Sequence, residues 1–158
     1  MIEIQITDEI KTIADNKAKE MGRLHNSITK GEGNLSGFIG EAVAQSVLGG
    51  ELKNTYQYDL VLPSGKTVDV KTKRTTVKPK DYYDCSVAAF NTKQQCDYYC
   101  FVRVKEDLSV AWYLGVYDKH QYFKDSTFLT KGQIDPSNNF TVKADCYNLK
   151  INQLKEKV

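Results

Sequence analysis

Tyr58-Asp59-Leu60-Val61-Leu62-Pro63-Ser64-Gly65-Lys66-Thr67-Val68-Asp69-Val70-Lys71 reads as a β-hairpin, and its register decides the fold. A proline opening and a glycine closing a three-residue loop supply the angles of a type I turn ended by a left-handed residue. That loop pairs Leu62 with Lys66, Leu60 with Val68, Tyr58 with Val70 and Asp59 with Asp69. One face then reads Tyr58, Leu60, Leu62, Val68 and Val70, a core face. The other carries Asp59, Asp69 and Lys71. A two-residue loop would set Asp59 opposite Val70 and mix the faces, which the hydrophobic pattern disfavours.

Like charges directly opposed in a sheet destabilise it, with Cβ atoms only about 4.5–5.5 Å apart. A hard divalent cation is the natural compensation. Mg²⁺ takes one or two carboxylates, keeps several waters and completes its shell with phosphate oxygens. Lys71, two residues along the strand from Asp69, would point toward that phosphate or an attacking water. The plainer alternative is a solvated hairpin face whose charges pair loosely and contribute little. The acid-x-Lys tripeptide carries no weight alone, because Glu9-Ile10-Lys11, Asp15-Asn16-Lys17 and Glu51-Leu52-Lys53 repeat it. Only Asp69-Val70-Lys71 lies in a β-branched strand with an acid across a hairpin.

In this context the residues resemble the PD-(D/E)XK nuclease superfamily. Asp59 matches its first acid, Asp69-Val70-Lys71 its acid-x-Lys and Glu41 its helical glutamate, although Tyr58 stands where the family often has proline. The resemblance spans roughly residues 35–105. It implies an α/β, restriction-endonuclease-like fold: a mixed β-sheet core flanked by helices, with an N-terminal helical segment. It also implies a metal-dependent DNA endonuclease using Mg²⁺, for which Mn²⁺ would substitute. Asp59, Asp69, the Val70 carbonyl and Glu41 would serve the metal, and Lys71 the scissile phosphate and the water. The expected role is homing, restriction or resolvase-like, in a cytoplasmic protein of phage or mobile-element type. Cutting both strands would favour a homodimer or higher homo-oligomer. A non-catalytic nucleic-acid-binding module with a nuclease-like fold is the alternative, and a protein-interaction subunit is a third.

Charge distribution agrees with a DNA partner. Net charge is only +2, but residues 66–80 hold six basic side chains and one acid, followed by Tyr82 and Tyr83. Basic residues beside a carboxylate site suit a phosphate backbone through counterion release. Lys73, Arg74, Lys78 and Lys80 are the expected DNA contacts, with Gln45 as a further one.

At 158 residues the chain reads as a single domain, helices over about 7–48 and a sheet core over about 51–158. The apolar stripe of Ile6, Ile10, Ile13, Ala14, Ala18 and Met21 predicts a helix over about 7–23. Residues 25–34 are polar and glycine-rich, a loop without the Gly-Lys-Ser/Thr of a phosphate-cradling motif. A second helix is expected over 35–48, stopped by Gly49-Gly50, with Gly37 and Gly40 packed closely on another backbone. Strands are expected over 85–90, 98–105 and 109–116, a short helix or turn over 118–123, and a final strand with a terminal turn over 147–154. Asp97 is expected to be structural. No stretch approaches membrane-spanning length, so no membrane partner is expected. Cys85, Cys96, Cys100 and Cys146 lack metal-ligand spacing and read as reduced thiols, mostly buried. His25 in a polar loop and His120 in a turn match no histidine-based catalytic motif.

Overall fold

In the computed structural model, which describes residues 1–25 and 35–158, the hairpin sits inside a six-stranded mixed sheet. The chain enters that sheet at once as β1 (Ile2–Gln5), a strand the sequence reading did not anticipate. Then follow α1 (Asp8–His25), α2 (Leu35–Leu48), β2 (Glu51–Leu52), β3 (Leu60–Val61) and β4 (Thr67–Thr75). The second half gives β5 (Asp84–Ala88), β6 (Tyr98–Lys105), β7 (Val110–Asp118), α3 (Lys119–Asp125), β8 (Thr127–Leu129) and β9 (Cys146–Lys150). The large sheet runs β1-β7-β6-β4-β3-β2, and β5-β9-β8 form a second, antiparallel sheet. Among the described residues only β4 and β6 pair in parallel, with Asp69 beside Tyr99 and Lys73 beside Arg103.

The predicted stripe of α1 is its buried face: Ile6, Ile10 and Ala14 enter the core, and the Thr7 hydroxyl caps the Ile10 amide at 3.2 Å. The helix runs through His25, beyond its expected end; the rest of the predicted 25–34 loop lies outside the described residues. α2 keeps its predicted bounds but is buried all round from Phe38 to Ala44. At Gly40 an added Cβ would stand 1.9 Å from the Thr72 hydroxyl of β4, so helix and sheet touch there. Gly37 meets nothing within 4 Å, which corrects its expected close packing. Gly49 (φ +73°) ends the helix, its amide bonding the Gln45 carbonyl at 2.8 Å.

Both faces of the large sheet are covered. On the helix side Leu60, Val68, Cys100, Val102 and Tyr113 pack against Ile39 and Val43. On the other, Tyr99, Phe101, Trp112 and Leu114 pack with Cys85, Leu149 and Tyr122. The Tyr122 hydroxyl lies 2.8 Å from the carbonyls of both Cys85 and Tyr147, joining α3 to the second sheet. Asp97 has the expected structural role, accepting the Thr67 amide at 2.9 Å and so pinning the start of β4. Cys85 and Cys100 are buried, Cys96 and Cys146 half-buried, and all four are free thiols. Among the described residues no helix is long and apolar enough to cross a membrane.

Candidate active site

The hairpin forms in the expected register at its core: Leu60 faces Val68, Val61 faces Thr67, and the Leu62 amide bonds the Lys66 carbonyl at 2.8 Å. Gly65 takes the left-handed angle (φ +85°) that closes the turn. The ladder then breaks at Asp59, whose amide donates to Val68 at 2.9 Å. Its carboxylate turns to the open edge of β4, where Oδ2 accepts the Val70 amide at 2.7 Å. Carboxylates held directly opposite one another repel, and this turn gives Asp59 a donor instead. A strand residue's N–H and C=O leave on the same side, so the Val70 carbonyl also faces Asp59.

Asp69 is buried at 7% exposure on the face shared with Lys71. Lys71 Nζ lies 2.6 Å from Asp69 Oδ2, an ion pair out of alignment for a hydrogen bond, so this buried oxygen has no hydrogen-bond donor. Burial first, and the Asp69 charge second, push the half-buried Asp59 carboxyl up to about 7, against the Val70 amide and Lys17. Two acids share one site, and one of them resists ionisation.

Lys17 was not singled out from the sequence. It is buried at 7% exposure, pairs with Glu41 Oε2 and donates to the Lys53 carbonyl at 3.0 Å. Lys53 in turn donates its amide to Asp59's carbonyl at 2.8 Å, so α1 buttresses the strand end that carries the acid. Burial lowers the Lys17 ammonium, and Asp59 and Glu20 draw it upward. Glu41 is thus held by a cation from the other helix. Among the described residues no three His, Cys, Asp or Glu side chains are grouped as a ready metal site.

Tyr99 is the second omission. It is Asp69's neighbour across the parallel ladder, fully buried, and its hydroxyl has no hydrogen-bond partner among the described residues. Lys71 Nζ stands 5.7 Å from its ring centroid. Burial, then Cys96 and Asp69, hold its phenol well above the ordinary range. No local motif announced either residue; only the pairing of β4 with β6 and the crossing of α1 over α2 bring them in.

The expected DNA contacts divide. Lys73 stays on the face of Asp69 and Lys71, whereas Arg74 points to the opposite side and reaches the Glu106 carbonyl at 3.5 Å. Lys78 and Lys80 are exposed, Lys80 lying over the Tyr82 ring at 5.7 Å. Gln45 donates to the Gly50 carbonyl at 3.1 Å and so braces the end of α2. His120 is exposed in the first turn of α3.

The donor set suits a hard cation: two carboxylates and one backbone carbonyl are oxygen ligands, and Asp69 Oδ2, paired in charge with Lys71, is buried without a hydrogen-bond donor among the described residues. Compared with known proteins, the chain matches no family model and no curated sequence.

Proposed function

We propose that this protein is a metal-dependent DNA endonuclease of the restriction-endonuclease-like kind. The observation that carries the reading is the meeting of Asp59 and Asp69 at the open edge of β4, with Lys71 on the same face. Mg²⁺ held by Asp59, Asp69 and the Val70 carbonyl would supply an acidified water and charge stabilisation at phosphorus. The chain's own residues do the rest. Lys71 leaves Asp69 to contact the scissile phosphate and orient the water, since an ordinary lysine, with a pKa of about 10.4, is a poor base at neutral pH. Glu41, fixed by Lys17, orients a water from the helix side. Lys73, one step along the strand, binds the flanking phosphate. With one site per protomer, double-strand cutting would favour a homodimer or higher homo-oligomer.

One observation favours a second reading, a nucleic-acid-binding module without catalysis. Lys71 already neutralises Asp69 at 2.6 Å, where a divalent cation would act.

The test incubates the protein with supercoiled plasmid, linear duplex and branched DNA in Mg²⁺, Mn²⁺ or EDTA, beside an Asp69→Ala control. Metal-dependent nicking lost in the control is the expected result. Binding without cleavage in every metal selects the second reading, and neither binding nor cleavage refutes both.

A further inference from the structure

Beyond the carboxylate pair, the second sheet and residues 130–145 enclose a cavity of about 640 Å³, ample for a nucleotide. A cleft of about 70 Å³ begins at Lys71 and shares Lys73, Asp84, Ser86 and Arg103 with the cavity, so the two are contiguous. Their lining is unusual in its charges. Lys73 of β4 and Arg103 of β6 are register partners, and Lys143, its Nζ 5.9 Å from the Phe140 ring centroid, lines the same cavity. Arg103 is only 7% exposed, and its one hydrogen bond among the described residues goes to the Asp84 carbonyl at 2.9 Å.

None of these three cations has a carboxylate within 4.0 Å among the described residues. The acids nearby are already satisfied: Asp84 by Lys150 at 2.6 Å, Asp135 by the Ser137 hydroxyl at 2.7 Å. Burial and mutual repulsion lower Lys73, and burial lowers Arg103. A buried guanidinium with no carboxylate partner among the described residues, beside two exposed ammoniums, suits an anion. The walls add what a base needs: Tyr82 and Phe140 line the cavity with half or more of their surface exposed.

We propose that this cavity holds one unstacked nucleotide of a DNA strand, its phosphate between Lys73, Arg103 and Lys143 and its base against Tyr82 and Phe140. The inference rests on the nuclease reading for its choice of polymer. The four residues shared with the smaller cleft put the pocket beside Lys71. Stacking on aromatic side chains is tolerant of base identity, so the pocket selects an unpaired strand more than a sequence.

The test uses the full chain in EDTA, where no strand is cut, with a fluorescein-labelled single-stranded oligodeoxynucleotide of about ten residues. A 5′-mononucleotide and inorganic phosphate serve as competitors. Phe140→Ala and Lys143→Ala alter exposed residues, and circular dichroism checks that both fold. Each variant should weaken binding about tenfold. Lys143→Ala should also reduce the salt slope by about 0.7, and Phe140→Ala should leave it unchanged. The mononucleotide should compete far better than phosphate. Parent-like affinity in both variants, no binding by the parent, or equal competition by phosphate overturns the pocket. Metal-dependent plasmid cutting alongside such a result would leave the nuclease reading standing. Pocket-dependent binding without cutting in any metal would retain the pocket and remove that reading.

Discussion

The Asp59 carboxylate accepts the Val70 amide at 2.7 Å, standing where the next β3 carbonyl would have continued the ladder. One side chain thus ends a strand, satisfies a backbone donor and brings its charge to Asp69. The arrangement places the acid against its neighbour's charge, and this has a pH signature. With the folded carboxyl raised to about 7 and the unfolded one near 4, the folded state binds the extra proton between those values. That contribution to stability is fully present below about pH 4 and is lost as pH rises through about 7. In EDTA the parent should therefore lose about 3–6 °C in Tm between pH 5 and pH 8 relative to Asp59→Asn. This is the size that ~1.5 kcal/mol produces in a domain this long, after allowance for partial solvent screening. Asparagine keeps an acceptor for Val70, so parallel Tm profiles for the two proteins would refute the account.

The buried Lys17–Glu41 pair gives a second test. Removing one partner leaves a buried charge unmatched, so Lys17→Met should cost about 3–5 kcal/mol in urea unfolding. Replacing both, Lys17→Met with Glu41→Leu, should recover most of the loss. A single variant as stable as the parent would show that the pair does not hold α1 to α2.

Gly40 sets the distance between α2 and β4. Gly40→Ala should destabilise by about 1–3 kcal/mol, because its methyl meets Thr72 at 1.9 Å. Adding Thr72→Ala removes the hydroxyl and one methyl but keeps a Cβ at 2.9 Å, so it should restore part of the loss. Chemical denaturation of the single and double variants measures this, and no rescue would contradict the contact.

Tyr99 separates stability from chemistry. Its buried hydroxyl has no partner, so Tyr99→Phe should hold or raise stability, by up to about 1 kcal/mol. A role for that hydroxyl beside Asp69 would appear as slower plasmid cleavage by an equally stable protein. Loss of stability in the phenylalanine variant would mean that the hydroxyl has a partner after all.

The sequence showed the hairpin because its determinants are local: turn residues, alternating apolar positions and two acids on one face. Leu60 facing Val68 needed no knowledge of the rest of the chain. The bounds of α2 were legible for the same reason, through the glycines that stop it. Lys17 and Tyr99 were hidden because each reaches the site through a partner distant in sequence, Glu41 in one case and the β4–β6 ladder in the other. β1 was hidden as well: four alternating residues carry no signal until β7 gives them an edge to pair with. That Arg74 lies on the side opposite Lys73 follows from strand alternation, since neighbours on a strand point to opposite sides.

The parallel pairing of β4 with β6 also orders events in time. A hairpin such as β3–β4 closes in about 1–10 μs from contacts a few residues apart. Its acid–tyrosine juxtaposition must wait for a strand thirty positions later in the chain, since Asp69 lies beside Tyr99. The outer edge waits longer still, for Glu3 to reach Trp112 across 109 residues, at 2.8 Å. Non-local pairings of this kind belong to slow folders. As the chain leaves the ribosome, Asp69 emerges thirty residues before Tyr99, so the site's walls cannot close until the later strands have been made.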